Sequence, residues 1–521
     1  MDMLSGIRRI LACGLLAAIT GCASLPDVVE RPTSSALTDT SATRLGRALA
    51  AEVAAHPDKT GVHALSGARE AFAARVLLAH AAERSIDAQY YIWHDDTTGG
   101  LLDEALWAAA ERGVRVRLLL DDQNTRGRDD VIAVLDSHPN IEVRLFNPFA
   151  NRSFRLADFA GDFSRVNRRM HNKSYTVDNQ ASIVGGRNIG DEYFGAGEDL
   201  EFEDLDALIA GAVVHDVSRE FDEYWNSPSA YPAASLISAP SAETVARVRS
   251  MWAAIAENPS AIKYVQAVRD TPLVQEVLGG TVALEWVPAR LVADDPAKVL
   301  HPPEATELHM LPHLEAALGK PMTEIDLVSP YFVPTVEGTQ TFLAVASRGV
   351  KVRVLTNSLA ATDVSPVYAG YAKYRRDLLQ GGVQLFELKR DAPTGSETAD
   401  RRRGSSISGS SSSGLHAKTF AVDRRRIFIG SFNLDPRSAR LNTEMGVVLE
   451  SPNLATHLSE LFDTKIRLEE YEVRLTADGQ HIEWVDRASG SEKTLSSAPD
   501  TSVFRRMWAG FLGILPIEWL L

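Results

Sequence analysis

One pattern occurs twice in this chain, and it limits the possible folds more than any other feature. His171-Asn172-Lys173 is followed after four residues by Asp178, and Gly185-Gly186-Arg187-Asn188 comes next. His416-Ala417-Lys418 is followed after four residues by Asp423, and then by Gly430-Ser431-Phe432-Asn433. Counted from each histidine, the Lys, Asp, Gly and Asn positions agree in the two copies. The surroundings repeat as well. Before the first copy, an alternating aromatic strand pattern at 85–92 leads into a helical run at 101–112, a stop at Gly113 and a strand at 114–120. Before the second, residues 324–332 open the same series, with a helix through 342–348, a stop at Gly349 and a strand at 350–355. Residues 141–146 and 382–386 supply a third strand in each copy. Alternating strand and helix predict βαβ units and layered α/β packing. The duplication predicts two similar α/β lobes in one chain, with a site between them.

The spacing has a chemical sense. Strand alternation puts His171 and Lys173 on one face, and the same holds for His416 and Lys418. The pairs Gly185-Gly186 and Gly430-Ser431 allow tight turns that bring Asn188 and Asn433 back toward the site. Two imidazoles, two ammonium groups and two carboxamides would then surround one tetrahedral anion. Lys and Asn donate to the non-bridging oxygens. One imidazole attacks phosphorus while the other protonates the leaving oxygen. Asp178 and Asp423 belong to the catalytic motif but fall one step past the alternating face, so support of the structure or of the imidazoles is expected of them. Arg165, Arg168 and Arg169 precede His171, and Arg187 lies in the turn. With Ser431, Arg169 and Arg187 are the candidate contacts to an anionic headgroup, against the plainer reading of a solvated basic edge.

Composition narrows the function. The chain is 45% hydrophobic and 24% charged, as folded proteins with a sizeable core are. Its net charge of −15 disfavours nucleic acid as a partner, because such binding relies on neutralising phosphates. Cys13 and Cys22 are the two cysteines, so the body can form neither a disulfide nor a thiolate metal site. His94 beside Asp95-Asp96, and the pair Asp121-Asp122, read as strand-end loops rather than metal ligands. No metal and no cofactor is expected.

The ends of the chain carry other signals. Arg8-Arg9, an apolar run at 10–19 and then Thr20-Gly21-Cys22 describe an export signal too short to span a bilayer. Ile19-Thr20-Gly21-Cys22 resembles a bacterial lipobox, which implies cleavage before Cys22 and lipid on its sulfur. Ala23 after it implies the outer membrane, facing the periplasm. The expected organisation is a signal at 1–21, a tether at 22–60, a first lobe at 61–245 and a connecting segment at 246–300. A second lobe follows at 301–475, with a mobile Ser/Gly-rich loop at 401–414, and then a C-terminal segment at 476–521. The tail at 503–521 is apolar, and it reads equally as an interfacial anchor or as a segment packed on the core.

Paired H-x-K-x4-D motifs with G-[GS]-x-N tails resemble the signature of the phospholipase D superfamily. Five further stretches look like the bacterial cardiolipin synthase C branch: Ala88-Gln89-Tyr90-Tyr91-Ile92-Trp93, Arg168-Arg169-Met170-His171-Asn172-Lys173, Asp294-Asp295-Pro296-Ala297-Lys298, Asn442-Thr443-Glu444-Met445-Gly446 and the closing Leu515-Pro516-Ile517-Glu518-Trp519-Leu520-Leu521. The resemblance covers roughly residues 65 to 521. It implies a metal-independent, two-step transfer through a phosphohistidine, with Glu444 and its first-lobe counterpart Asp204 orienting the opposing histidines. It also implies His171 as nucleophile and His416 as acid and then base, an assignment that the symmetry of the motifs leaves open. The implied function is a phosphatidyltransferase that acts on phosphatidylglycerol, with phosphatidylethanolamine as a candidate donor, at a membrane surface. A phospholipase D hydrolase is the near alternative; a phosphodiesterase nuclease and a lipid-anchored scaffold without activity stand further off.

Overall fold

A computed structural model of the chain describes residues 24–26, 29–196, 201–273, 276, 282–390 and 413–521. The export signal, Cys22 and residues 401–412 of the Ser/Gly-rich loop lie outside the described residues.

Each lobe is built on a sheet, and the two sheets share a central strand order. In the first lobe the order runs Asp206–Gly211, Ala181–Gly185, Ser174–Val177, Ser85–Tyr90, Arg115–Asp121, Ile141–Phe146. In the second it runs Met445–Leu449, Arg426–Gly430, Thr419–Val422, Glu324–Val328, Lys351–Asn357, Gln384–Leu388. The last three strands of each series are parallel, as βαβ units require, and the motif strands run antiparallel to them. The Arg-Gly-Val links turn at Gly113 and Gly349, with φ of 90° and 84°, where a side chain would be strained. Thus the expected α/β architecture of two similar lobes is the observed one.

Of the four buried clusters among the described residues, three fix the two sheets. Ile86, Leu118 and Val143 belong to a core inside the first lobe, and Val352, Val354 and Leu385 to one inside the second. A further cluster joins Val184, Ala207 and Ile209 of the first sheet to Ile429, Met445 and Val447 of the second. Burial of that seam fixes one sheet edge against the other.

The expected boundaries need correction at three places. From Pro32 onward the chain is docked on the first lobe rather than tethering it. Arg144 donates to the Pro32 carbonyl, and the Ser34 and Ala36 amides donate to Asn226 and Asp222. Thr43 caps the helix Arg44–Ala55, and Thr60–Leu65 is an interior strand of the first sheet. The connecting segment is equally integrated: Trp252 and Tyr264 enter the first core, Glu285–Val287 closes the first sheet and Ala289–Ala293 joins the second. In the C-terminal segment, Ile482–Asp486 and Lys493–Leu495 extend the second sheet, and the helix Val503–Ile514 packs on the helix Ser365–Gln380.

Candidate active site

Each catalytic motif enters the site on a short bridge to the other lobe. The His171 amide donates to the Thr443 carbonyl at 2.8 Å, and the Thr443 amide returns a bond to Arg169 at 2.9 Å. On the other side, Ser413–Leu415 pairs with Glu201–Glu203, and the amides of His416 and Ala417 both donate to the Glu203 carbonyl. In both bridges the next residue of the opposite lobe is a carboxylate. Glu444 Oε2 lies 2.7 Å from His171 Nδ1, and Asp204 Oδ2 lies 2.6 Å from His416 Nδ1. The two dyads are therefore crossed: each lobe supplies the histidine of one and the carboxylate of the other. A carboxylate at Nδ1 fixes the proton there and leaves Nε2 free to act on a ligand.

The lysines complete the cluster. Lys173 and Lys418 are buried, and each donates to the carbonyl of its own histidine. Burial pushes His171 well below its usual range, with Lys173 and Lys418 adding to the effect. Burial and Lys418 push His416 down to about 4, while Asp204 opposes them. Each histidine thus feels the lysines of both motifs, as one shared site requires. Burial also lowers Lys418, to about 8.

The carboxylates are not equivalent. Glu444 accepts from Ser431 Oγ and Ser438 Oγ, at 2.5 and 2.7 Å, and burial raises its pKa. Burial also works to raise Asp204, but His416, Lys418 and Arg187 outweigh it and hold this carboxyl below its usual range. Gly186 stands where Ser431 stands in the other copy, and a Cβ there would meet Asp204 Oδ1 at 2.2 Å. Only glycine lets that carboxylate reach His416.

A second layer supports Glu444. Its amide donates to Asp294 Oδ2 at 2.8 Å, and Lys298 pairs with the other oxygen of Asp294 at 2.9 Å. Behind Lys173, Asn172 donates to Glu220 at 2.6 Å and accepts from Thr443 Oγ1 at 3.0 Å. Burial raises Glu220 to about 8. Aromatic rings form the wall: Tyr91 meets the His171 ring edge-on, and Tyr193 and Phe202 flank that of His416, with centroids 5.0 to 5.1 Å apart.

Residues 76–225 and 314–466 match the family model of the cardiolipin synthase, phospholipase D-like domain. The chain belongs to that family. It is 46% identical over 479 residues to cardiolipin synthase C of Escherichia coli, covering 92% of this chain and all of the relative. Cardiolipin synthase A of Pseudomonas fluorescens is 26% identical over 73% of this chain and 63% of its own length. The crystal structure of phosphatidylserine synthase from Haemophilus influenzae matches with a TM-score of 0.55 at 14% identity, covering 92% of this chain and all of that one, a likeness of fold. Membership of the cardiolipin synthase family makes the chain a phosphatidyltransferase-type enzyme.

Within this cardiolipin synthase fold, the structure brings His171, Lys173, His416, Lys418, Glu444 and Asp204 together as expected, and Asn433 is tied to them through its backbone amide, which donates to Ser438 Oγ of the Glu444 network, while its buried Oδ1 has no partner among the described residues. Asn188 is one layer back. Its Nδ2 donates to Tyr193 Oη, so it reaches His416 through that ring. The other expectations are corrected. Arg169 is fully buried, and its guanidinium is taken up by Asp121 and by the carbonyls of Val166, Phe146 and Asn147. Arg187 donates to the carbonyls of Leu65, Ser66 and Asp204. Ser431 is spent on Glu444 and Met445. All three position the dyads rather than contact a headgroup. Arg165 and Arg168 are likewise bound to backbone carbonyls.

Asp178 and Asp423 lie at the far ends of the motif strands, away from the imidazoles. Each occupies a left-handed turn position, with φ of 52° and 54°. Asp178 accepts from the amides of Glu83, Arg84 and Ser85, and Asp423 from those of Met322, Thr323 and Glu324. They staple the hairpin to the neighbouring strand. Sequence reasoning missed Ser438 and Glu220, for which spacing gives no signal. The Asp294–Lys298 pair lies within a stretch that resembles the family but carries no spacing signal of its own.

Proposed function

We propose that this chain transfers a phosphatidyl group to phosphatidylglycerol through a phosphohistidine, forming cardiolipin. The crossed dyads carry this reading, since they present two Nε2 atoms to one buried, cationic site. His171 Nε2 attacks phosphorus, and the bond to the headgroup oxygen breaks as His416 Nε2 gives that oxygen its proton. A hydroxyl of phosphatidylglycerol then passes its proton to His416, its oxygen attacks phosphorus, and the P–N bond breaks to restore His171. Lys173 and Lys418 stabilise the charge on the non-bridging oxygens. The electrostatic asymmetry supports this division of labour. Burial and both lysines hold His171 well below its usual range, unprotonated as a nucleophile must be, whereas Asp204, held ionised, favours an imidazolium on His416.

The donor is a glycerophospholipid, phosphatidylglycerol or phosphatidylethanolamine, whose leaving group is glycerol or ethanolamine. The enzyme works in the bacterial envelope as a periplasm-facing lipoprotein anchored through Cys22 in the outer membrane. Cys22→Ser is expected to abolish incorporation of labelled fatty acid. Incubation of the purified enzyme with labelled phosphatidylglycerol, with and without phosphatidylethanolamine, tests the reaction. Labelled cardiolipin is the expected product; phosphatidic acid alone would replace the transferase reading with a hydrolase, and cleavage of added DNA would overturn both.

A further inference from the structure

The helix Val503–Ile514 presents its apolar side chains to both sides. Ala509 and Leu512 are buried, while Phe504, Met507, Phe511 and Ile514 are between 51% and 82% exposed. Trp508 is exposed beside them and stacks on Phe511. An outward stripe of this size is costly in water. Beyond the helix the chain turns back, and exposed Trp519 meets Phe163 of the first lobe with centroids 6.4 Å apart. Phe154 and Leu156, a few residues upstream of Phe163, are also exposed, at 64% and 68%. Two lobes thus contribute to one apolar surface.

That surface is fastened to the rim of the active site. Arg437 donates to the carbonyls of Leu520 and Leu521, and its guanidinium also bonds Asn167. Its neighbour Ser438 donates to Glu444 of the His171 dyad. Phe163 stands on the segment that runs directly into His171. Arg505 and Arg506 add positive charge to the helix, half-buried and donating to the carbonyls of Thr362 and Thr501.

We infer that this two-lobe surface seats the enzyme on a leaflet of anionic glycerophospholipid and holds the mouth of the dyads at headgroup level. The inference rests on the phospholipid substrate proposed above, whose acyl chains have no place in the buried, cationic site. The helix has 12 residues and a length of about 18 Å, too short to cross a bilayer. It lies in the interface with its aromatic and aliphatic groups among the acyl chains.

Full-length protein mixed with phosphatidylglycerol vesicles whose acyl chains are brominated gives a direct test, because bromine quenches only tryptophan that reaches the chains, however the N-terminus is held. Quenching relative to unbrominated vesicles is expected, together with its loss in the W508F/W519F variant. No quenching, or quenching that persists in that variant, would overturn the inference, as would a solution dimer that buries this face. A second variant, F504D/M507D/F511D, is expected to lose activity on vesicles by at least about tenfold. It should turn over monomeric dihexanoyl-phosphatidylglycerol as the wild type does. Equal vesicle activity in the two proteins would overturn the inference. If wild type fails to turn over the soluble lipid, the proposed function fails, while the quenching still decides the docking surface.

Discussion

His171 and His416 look interchangeable in the sequence, yet their carboxylates are held differently. Glu444 takes two serine hydroxyls and Asp204 takes none among the described residues. Glu444→Gln should leave the fold intact and lower kcat by roughly 10³–10⁴, because an amide no longer fixes the imidazole proton. A loss below tenfold in steady-state kinetics would remove Glu444 from the dyad. Ser431→Ala, which loosens Glu444 without removing it, should cost about 10–100-fold, mostly in kcat. Lys418, lowered to about 8 by burial, must be charged to stabilise the transferring phosphoryl group. The kcat/KM of the free enzyme, already falling above the His416 value of about 4, should therefore fall more steeply as pH rises through about 8, and an unchanged slope up to pH 10 would contradict that role. The histidine and lysine positions were legible from the repeated motif, although they precede the strands Ser174–Val177 and Thr419–Val422 and are held by the two bridges. The partners of Arg169 and Arg187 were not. A basic side chain beside a phosphate motif reads the same whether it faces an anion or a buried carboxylate, and Asp121 and Asp206 come from other strands.

At the scale of elements, Asp178 and Asp423 belong to hairpins rather than to chemistry. Each caps three amides at the start of the adjoining strand, which explains why both copies keep the residue at one spacing from the histidine. Asp178→Ala should destabilise the protein by about 1–3 kcal/mol, since the buried Ser85 amide and the half-buried amides of Glu83 and Arg84 lose their acceptor. The midpoint of denaturant unfolding should fall, while activity per folded molecule stays within about twofold. Unchanged stability with abolished turnover would return this aspartate to the active site. The βαβ repeat and both Arg-Gly-Val stops were legible because hydrophobic period and glycine are local signals. The docking of residues 32–55 was not, because Pro, Ser, Thr and Ala give a similar composition to a free tether and to an extended segment pinned by Asp222, Asn226 and Arg144.

For the whole molecule, the decisive feature is that neither lobe holds a complete site. The seam joining Val184 and Ile209 to Ile429 and Val447 sets the sheets together, and the two bridges then cross the dyads. Calorimetry should accordingly record one cooperative transition; two well-separated transitions would mean that the lobes fold independently and the seam contributes little. The duplication announced two lobes in the sequence, but which carboxylate serves which histidine depends on contacts between residues more than 200 apart. The most direct test of the account uses a phosphatidyl ester with a p-nitrophenyl leaving group, which needs no acid to depart. After reaction with the His416→Ala protein, acid-free proteolysis and mass spectrometry should find one phosphatidyl group on His171, and none in the His171→Ala protein. An adduct on His416 in the latter protein, or none in either, would contradict the claim that the crossed dyads form a single transferase site with His171 as its nucleophile.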